Sequence, residues 1–224
     1  MQIDPESLDP RARYNLLIGS VVPRPIAVVG TYGSGKLNGV ANLAPFSFFN
    51  AISSNPMMVV LGIANNQAGE PKDSLRNLMP QSEGGRGQFT INIAHRELLA
   101  QMVACAEPLP PDESEFDLSG LTPLRAERVD APRLAEARIT LECQTSSITR
   151  FKPGVPGAGN LILAEVVFIH VADALLSDNF HIDPDRLDAI GRLGGFDYCS
   201  IRERASVPPG KGALTADICW GPKG

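Results

Sequence analysis

Two runs near the middle of the chain limit its fold more than any other feature. In the first, Arg138, Thr140, Glu142 and Gln144 alternate with Ile139, Leu141 and Cys143, the period of two that marks a strand with one wet and one dry face. The second, Asn160 to Val171, is a long, largely apolar run with Glu165 inside it. Between them lies Lys152-Pro153-Gly154-Val155-Pro156-Gly157-Ala158-Gly159, dense in the residues that reverse a chain. Two strands joined this way form an antiparallel hairpin, and its outer edges need further strands to cover them.

Those strands are legible elsewhere. Pro25-Ile26-Ala27-Val28-Val29-Gly30-Thr31 is rich in β-branched residues and bounded by proline and glycine, hence a strand. Tyr32-Gly33-Ser34-Gly35-Lys36 supplies a turn, and Leu37 to Ala44 a return strand stopped by Pro45. Met57 to Ala64, entered through Asn55-Pro56, and Gln88 to Ile93 are two more. Asp73 or Ser74 is positioned to cap a short helix, Leu75 to Met79, ended by Pro80. His95 to Ala106 has a helical period at Leu98, Leu99, Met102, Val103 and Ala106. Residues 1–20 read as an irregular lead-in and Glu107 to Arg133 as a long connection with little regular structure.

About six strands and two or three short helices predict a mainly β protein, a closed antiparallel Greek-key (split) β-barrel with a few short flanking helices. One domain is expected over residues 1–205. A tail, 206–224, follows with Pro208-Pro209-Gly210 and the lone Trp220.

Charge and composition then exclude whole classes. Lys and Arg number 20 against 25 Asp and Glu, a net charge of −5, so the basic footprint of a general nucleic-acid binder is missing. No apolar run approaches the ~18 residues of a membrane span. The opening Met1-Gln2-Ile3-Asp4-Pro5-Glu6 is too polar for a signal peptide. Cys105, Cys143, Cys199 and Cys219 are far apart, and His95, His170 and His181 share no ligand spacing. These features predict a cytoplasmic protein with buried thiols, no metal, and neither a nucleic-acid nor a membrane partner.

One motif misleads. Gly30-Thr31-Tyr32-Gly33-Ser34-Gly35-Lys36-Leu37 nearly spells a phosphate-binding P-loop. That motif needs Ser or Thr after its lysine, and a helix to follow. Leu37 fails the first requirement, and Asn38 to Pro45 fails the second, so the segment reads as a glycine-rich hairpin.

Two clusters carry chemistry. Asn42-Leu43-Ala44-Pro45-Phe46-Ser47-Phe48-Phe49-Asn50 interleaves small, polar and aromatic residues, as a flat aromatic ligand requires. Read alone, its phenylalanines are better explained as ordinary core. Lys72-Asp73-Ser74 opens the short helix that contains Arg76 and Asn77. Free N–H groups, a cation and a hydroxyl there suit a phosphate. Asp73 competes for the same amides as an N-cap, and read alone the segment is better explained as a capped helix.

In order, Pro23-Arg24-Pro25 through Thr31, Gly35-Lys36-Leu37-Asn38, Asn42 through Phe49, Ser54-Asn55-Pro56, Lys72 through Asn77, Phe89-Thr90-Ile91-Asn92, and Gly191-Arg192-Leu193-Gly194-Gly195 before Tyr198 form a set. With this set the chain resembles the flavin reductase-like family of FMN-binding split-barrel proteins, from about Tyr14 to Arg204. The resemblance implies a homodimer of split barrels, each binding FMN noncovalently near the subunit interface. It implies that Thr31, Asn42, Ala44, Pro45, Phe46, Ser47 and Phe48 lie beside the isoalloxazine ring and ribityl chain. Lys72, Asp73, Ser74 and Asn77 would lie beside the phosphate. Gly191, Arg192, Gly194 and Gly195 would reach a flavin edge or the partner subunit. Ser74 stands where threonine is commoner, and Gln81 to Gly87 and the tail after Arg204 have no clear counterpart.

The implied activity is that of an NAD(P)H-dependent flavin reductase. Hydride passes from a transient NAD(P)H to FMN, and the reduced flavin then serves a partner oxygenase or another acceptor. Hydride transfer between stacked rings needs no proton-shuttling side chains, so no catalytic residue is assigned. Two other readings stay open: an FMN-carrying electron-transfer protein that does not oxidise nicotinamide itself, and a flavin-free β-barrel interaction protein.

Overall fold

The structure is a computed structural model that describes residues 1–222. The last two residues of the tail, Lys223 and Gly224, lie outside the described residues. In chain order the elements are α1 (Pro10–Ser20), β1 (Ala27–Tyr32), β2 (Ala41–Phe46), β3 (Phe48–Ser54), β4 (Met57–Ala64), α2 (Asp73–Leu78), β5 (Gln88–Ile93), α3 (Leu99–Ala104) and α4 (Glu115–Ser119). There follow β6 (Pro123–Arg125), β7 (Pro132–Leu134), β8 (Ile139–Arg150), β9 (Gly159–Val171), α5 (Pro184–Leu187), β10 (Ile190–Arg192), β11 (Tyr198–Ser200), β12 (Glu203–Arg204) and β13 (Gly221–Pro222).

Seven strands make one antiparallel sheet in the order β2-β1-β5-β8-β9-β4-β3. Its two edge strands are neighbours in sequence, with only Ser47 between them. One residue spans a few ångströms at most, so the sheet has to curl until its edges meet. No ladder joins β2 to β3 among the described residues, so strand pairing leaves a seam at Ser47 and does not itself close the barrel.

The sheet buries both faces. Ala27 and Val29 of β1 pack with Leu61, Phe89, Ile91 and Ile162 beneath Leu75 and Leu78 of α2. Ile26 and Val28 pack on the opposite side with Leu43, Met102, Phe116 and Leu134. A strand covered on both faces loses its polar alternation, which explains the unbroken apolar run at the start of the chain.

Several elements differ from expectation, each for a physical reason. The N-terminal lead-in contains a helix, α1: the Asp9 carboxylate accepts the Ala12 N–H at 2.9 Å and Pro10 fills the first turn, a standard helix start. Only Ile18 of α1 is buried, so no apolar stripe announces it. β2 begins later than expected and runs through Pro45. A proline is tolerated there because the strand is an edge and the missing N–H faces outward. β3 was not expected as a strand. The connection after Glu107 contains α4 and the β6–β7 hairpin.

The wet face of β8 is wet only at its far end. Thr140 and Glu142 are buried. The Glu142 carboxylate accepts the N–H groups of Glu127, Arg128 and Val129, and meets His170 Nε2 at 2.6 Å. Burial pushes this carboxyl up, but the donors outweigh it and hold it below the usual range. Glu142 is therefore an anchor for the loop between β6 and β7. Cys143, on the dry face, is buried, and burial pushes its thiol up.

Among the described residues no helix is long and apolar enough to cross a membrane, and no group of His, Cys, Asp and Glu could hold a metal ion.

Candidate functional site

Two side-chain amides tie the first strands to α2. Asn77 Nδ2 donates to Thr31 Oγ1 at 2.9 Å, and Asn42 Nδ2 donates to Ser74 Oγ at 3.1 Å. All four residues are buried, where an unmade hydrogen bond is costly. These pairs therefore fix α2 against β1 and β2. Ser74 spends its acceptor side on Asn42, so its O–H proton remains free to donate.

In front of this bond lies a cavity of about 380 Å³ lined by Asn42, Ala44, Pro45 and Phe46 from β2 and by Lys72, Asp73 and Ser74 from the start of α2. Ala106 to Leu109 and Pro111 close another side, with Glu115 and Cys105 among the wall residues. A smaller recess of about 110 Å³ adjoins it, sharing Asn42, Asp73 and Arg76 and adding Asn77, Gly33 and Ser34.

The expected cap of α2 is not made. Lys72 occupies the N-cap position with no side-chain cap, and the Asp73 carboxylate turns to Arg76, which also donates to the Pro71 carbonyl. The first turn of the helix thus keeps its amides uncapped beside the free Ser74 proton. With Asp73 neutralised, Lys72 is left without an ion-pair partner among the described residues. A helix of six residues has little dipole to offer, so the positive charge at this end belongs to Lys72.

α4 shields the open edge of β2. Ser114 Oγ donates to the Ala41 carbonyl at 2.6 Å, and the Leu43 N–H donates to the Glu115 carboxylate at 2.9 Å. Burial pushes the Glu115 carboxyl above its usual range, while the Leu43 N–H pulls it part of the way back and Asp73 adds to the rise. Burial also pushes up the Cys105 thiol, which leaves it a packing group rather than a nucleophile.

Ser47 and Phe48 sit around a corner from this cavity. Phe48 lines a second, larger groove of about 600 Å³, walled by Tyr14 and Leu17 of α1, Phe49 of β3, Gly62 of β4, Leu161 of β9, and Phe151. The Gly191–Gly195 segment reaches the same corner through Arg24. Arg24 and Arg192 form a two-bond backbone bridge at 3.0 and 2.8 Å, and Arg24 Nη2 donates to the Leu193 carbonyl at 3.0 Å. Arg24 Nε also donates to Ser47 Oγ at 3.2 Å.

The residues singled out from sequence therefore fall into three places. Asn42, Ala44, Pro45, Phe46, Lys72, Asp73 and Ser74 share the first cavity, Thr31 and Asn77 stand behind it, and Ser47, Phe48 and Gly191, Arg192, Gly194 and Gly195 gather at the seam. Sequence reasoning missed Arg24, Arg76, Glu115 and the strap around Pro108 to Pro111. Arg24 stood in view between two prolines, but nothing in a Pro-Arg-Pro triplet foretells burial. Glu115 had no signal at all within a stretch of acidic loop residues.

The curled, mainly antiparallel sheet with a few short helices places the chain among β proteins with split-barrel structural neighbours. In keeping with this, a split-barrel protein of the flavin-reductase kind from Shewanella frigidimarina superposes with a TM-score of 0.78 over 94% of this chain and 100% of its own, at 21% identity, a likeness of fold alone. Nitrilotriacetate monooxygenase component B from Bacillus cereus is 32% identical, with a TM-score of 0.83 over 92% of this chain and 98% of its own. An uncharacterized protein of Halalkalibacterium halodurans is 36% identical over 209 residues, 92% of this chain and 95% of its own. Residues 18–184 match the flavin reductase like domain, and the chain belongs to that family.

Proposed function

We propose that the chain binds FMN and reduces it with NAD(P)H, as a homodimer that hands reduced flavin to a separate acceptor such as an oxygenase. The observation that carries this reading is the meeting of two sequence-distant clusters, Asn42–Phe46 and Lys72–Ser74, in one cavity. Its volume, about 380 Å³, is within the range of small-molecule sites.

The donor set fits a phosphorylated ligand. Lys72 supplies a cation unpaired among the described residues, Ser74 a free hydroxyl proton, and the first turn of α2 uncapped amides. Asp73, next in sequence to Lys72, is neutralised by Arg76. In this reading Lys72 and Ser74 hold the phosphate, Thr31, Asn42 and Asn77 keep α2 in register with the sheet, and Ala44 to Phe48 lie along the ring. When bound, flavin would supply the redox chemistry between reduced nicotinamide and the acceptor. The chain orients the ring, screens one side of it from water, and needs no side chain to move a proton.

The larger groove supports the dimer. Tyr14, Leu16, Leu17, Phe48, Ile52 and Met57 are all exposed along α1, β3 and β4, an apolar face of the kind that marks an association surface. An oxygenase acceptor is suggested by the Bacillus cereus relative, a nitrilotriacetate monooxygenase component.

The decisive experiment is the visible spectrum of the purified protein, followed by steady-state oxidation of NADH and NADPH with FMN present. A flavin absorbance band with nicotinamide oxidation supports the whole proposal. Bound flavin that only a protein partner can bleach reduces it to an electron carrier. A colourless protein that ignores added FMN refutes it.

A further inference from the structure

Arg24 is buried, with 5% of its surface exposed, and is among the least exposed charges in the molecule. Four of its five N–H donors are engaged, all by neutral groups. Nη1 donates to the Ile18 and Val21 carbonyls at the end of α1 at 2.5 and 2.8 Å, Nη2 to the Leu193 carbonyl at 3.0 Å, and Nε to Ser47 Oγ at 3.2 Å. The charge also lies over the Phe48 ring, 6.0 Å from its centre, within cation–π range. No carboxylate pairs with it among the described residues.

Its neighbour compounds the imbalance. Arg192, joined to Arg24 by the backbone bridge, stacks on Tyr198 at 4.4 Å and donates to the Gly195 carbonyl at 2.5 Å, with no acid partner among the described residues. Two cations stand side by side at one corner of a chain whose net charge is −5. Burial is the main effect disfavouring the charge on Arg24; Tyr14 offsets part of it, and the adjacent Arg192 adds a smaller unfavourable effect. A guanidinium nonetheless stays protonated. An unneutralised buried cation is costly unless something else meets its field.

We infer that Arg24 is a positioning residue for the flavin ring, holding the Ser47 hydroxyl and the Phe48 ring against it, and that the uncompensated charge at this corner favours the reduced, anionic ring over the neutral oxidised one. The inference rests on the FMN reading above. Uptake of two electrons and one proton turns the neutral ring into a monoanion, and in the test dithionite supplies the electrons and water the proton. The fork geometry explains why arginine is needed: one planar group reaches α1, the 191–195 segment and the seam residue together, which a lysine ammonium on a flexible stem does not.

The test compares wild type with Arg24→Lys and Arg24→Gln, using oxidised FMN, dithionite-reduced FMN and riboflavin as probes, with the thermal midpoint of each apo-protein measured in parallel. Arg24→Lys is expected to weaken FMN and riboflavin by the same factor, about tenfold, because the ring site is disturbed and the phosphate site is not. Lys72→Ala is the control and is expected to weaken FMN alone. Arg24→Gln is expected to lower the preference for reduced over oxidised FMN by about tenfold, while Arg24→Lys keeps it within about threefold.

Riboflavin affinity unchanged in Arg24→Lys overturns the positioning role, even if the thermal midpoint falls. A reduced-to-oxidised preference in Arg24→Gln equal to wild type overturns the electrostatic role. Should both arginine variants fail to fold, Ser47→Ala leaves all three carbonyl contacts of Arg24 intact. Weaker riboflavin binding at an unchanged thermal midpoint then supports the inference, and unchanged binding overturns it. Wild type that binds no flavin overturns the proposed function and this inference together, whereas FMN binding that is indifferent to Arg24 and Ser47 overturns only the inference.

Discussion

On one side of Ser47, β2 faces a cavity whose polar groups have already found partners within the chain: Asn42 with Ser74, Thr31 with Asn77, Leu43 with Glu115, Asp73 with Arg76. On the other side, β3 leaves almost every residue exposed, and the groove above it is lined by Tyr14, Leu17, Phe48 and Phe151. The first region is preorganised, so a ligand entering it finds Lys72 and the Ser74 proton waiting. The second is open, with apolar surface exposed along β3 and α1. Buried polar networks specify geometry, whereas bare apolar area supplies association without direction. In the proposed function the first plan would serve a nucleotide-like cofactor and the second assembly, on either side of one residue.

The sharpest way to break this contrast is to place a charge on the open side. Ile52→Asp, on exposed β3, is expected to weaken self-association by about 3 kcal/mol or more, the scale of an unpaired charge in an apolar interface. Sedimentation velocity across a concentration series reads it, and a wild-type chain that is monomeric throughout ends the distinction between the two regions.

On the preorganised side, Lys72→Ala and Ser74→Ala are each expected to weaken FMN by about 1–3 kcal/mol, the range of charge-assisted hydrogen bonds. Isothermal titration with FMN and riboflavin side by side checks whether the loss is confined to the phosphate. Equal losses for both ligands would place these residues elsewhere on the cofactor.

The network behind the cavity gives a smaller effect on stability. Asn77→Ala strands the buried Thr31 hydroxyl and is expected to cost about 1–2 kcal/mol in urea unfolding. The double variant Thr31→Val with Asn77→Leu removes both partners and is expected to recover part of that loss. Additive losses in the double variant would mean the two side chains do not depend on each other.

The smallest effect is a pH dependence. The Glu115 carboxyl is raised by burial, so folding favours its protonated form. The stability that Glu115 contributes is present at low pH and is lost as pH rises through the raised value. The same ionisation brings a negative charge to the cavity wall, so FMN affinity is expected to decline a few-fold across that interval. Glu115→Gln is expected to flatten the profile, and an unaltered profile in that variant assigns the dependence to another group. Glu142 has the opposite sign: its lowered carboxyl contributes stability above the usual carboxylate range, which is lost as pH falls through the lowered value.

Much of this was legible in the sequence, for reasons that also mark the limits. β4, β5, β8 and β9 announce themselves because β-branched runs and alternation report burial directly, and the Lys152–Gly159 turn fixes their pairing. The clustering of Asn42–Phe46 with Lys72–Ser74 was expected through the family resemblance. Composition alone left a core and a capped helix as rivals.

What escaped were features set by tertiary partners. Local sequence shows neither that Glu142 will be swallowed by a loop folding over it nor that α1 lies on the surface as a cap-driven helix. Asp73 looked like an N-cap, and the contest went to Arg76, whose guanidinium offers the carboxylate a full charge where the backbone offers only dipoles. Arg24 is the clearest case. Its importance is the sum of contacts to residues 18, 21, 47 and 193, and no window of sequence contains them all.

The single-residue link between the sheet's two rims makes the curled wall behave like a cuff fastened at one stitch. Lengthening the chain at Ser47 by even two or three glycines would let the rims part while leaving every ladder intact. Such an insertion would loosen the cuff without unravelling the cloth, so the apo-chain should fold nearly as before while its mouth breathes more widely. Whatever bridges Ser47, whether the Arg24 fork from within or a ring from without, acts as the clasp.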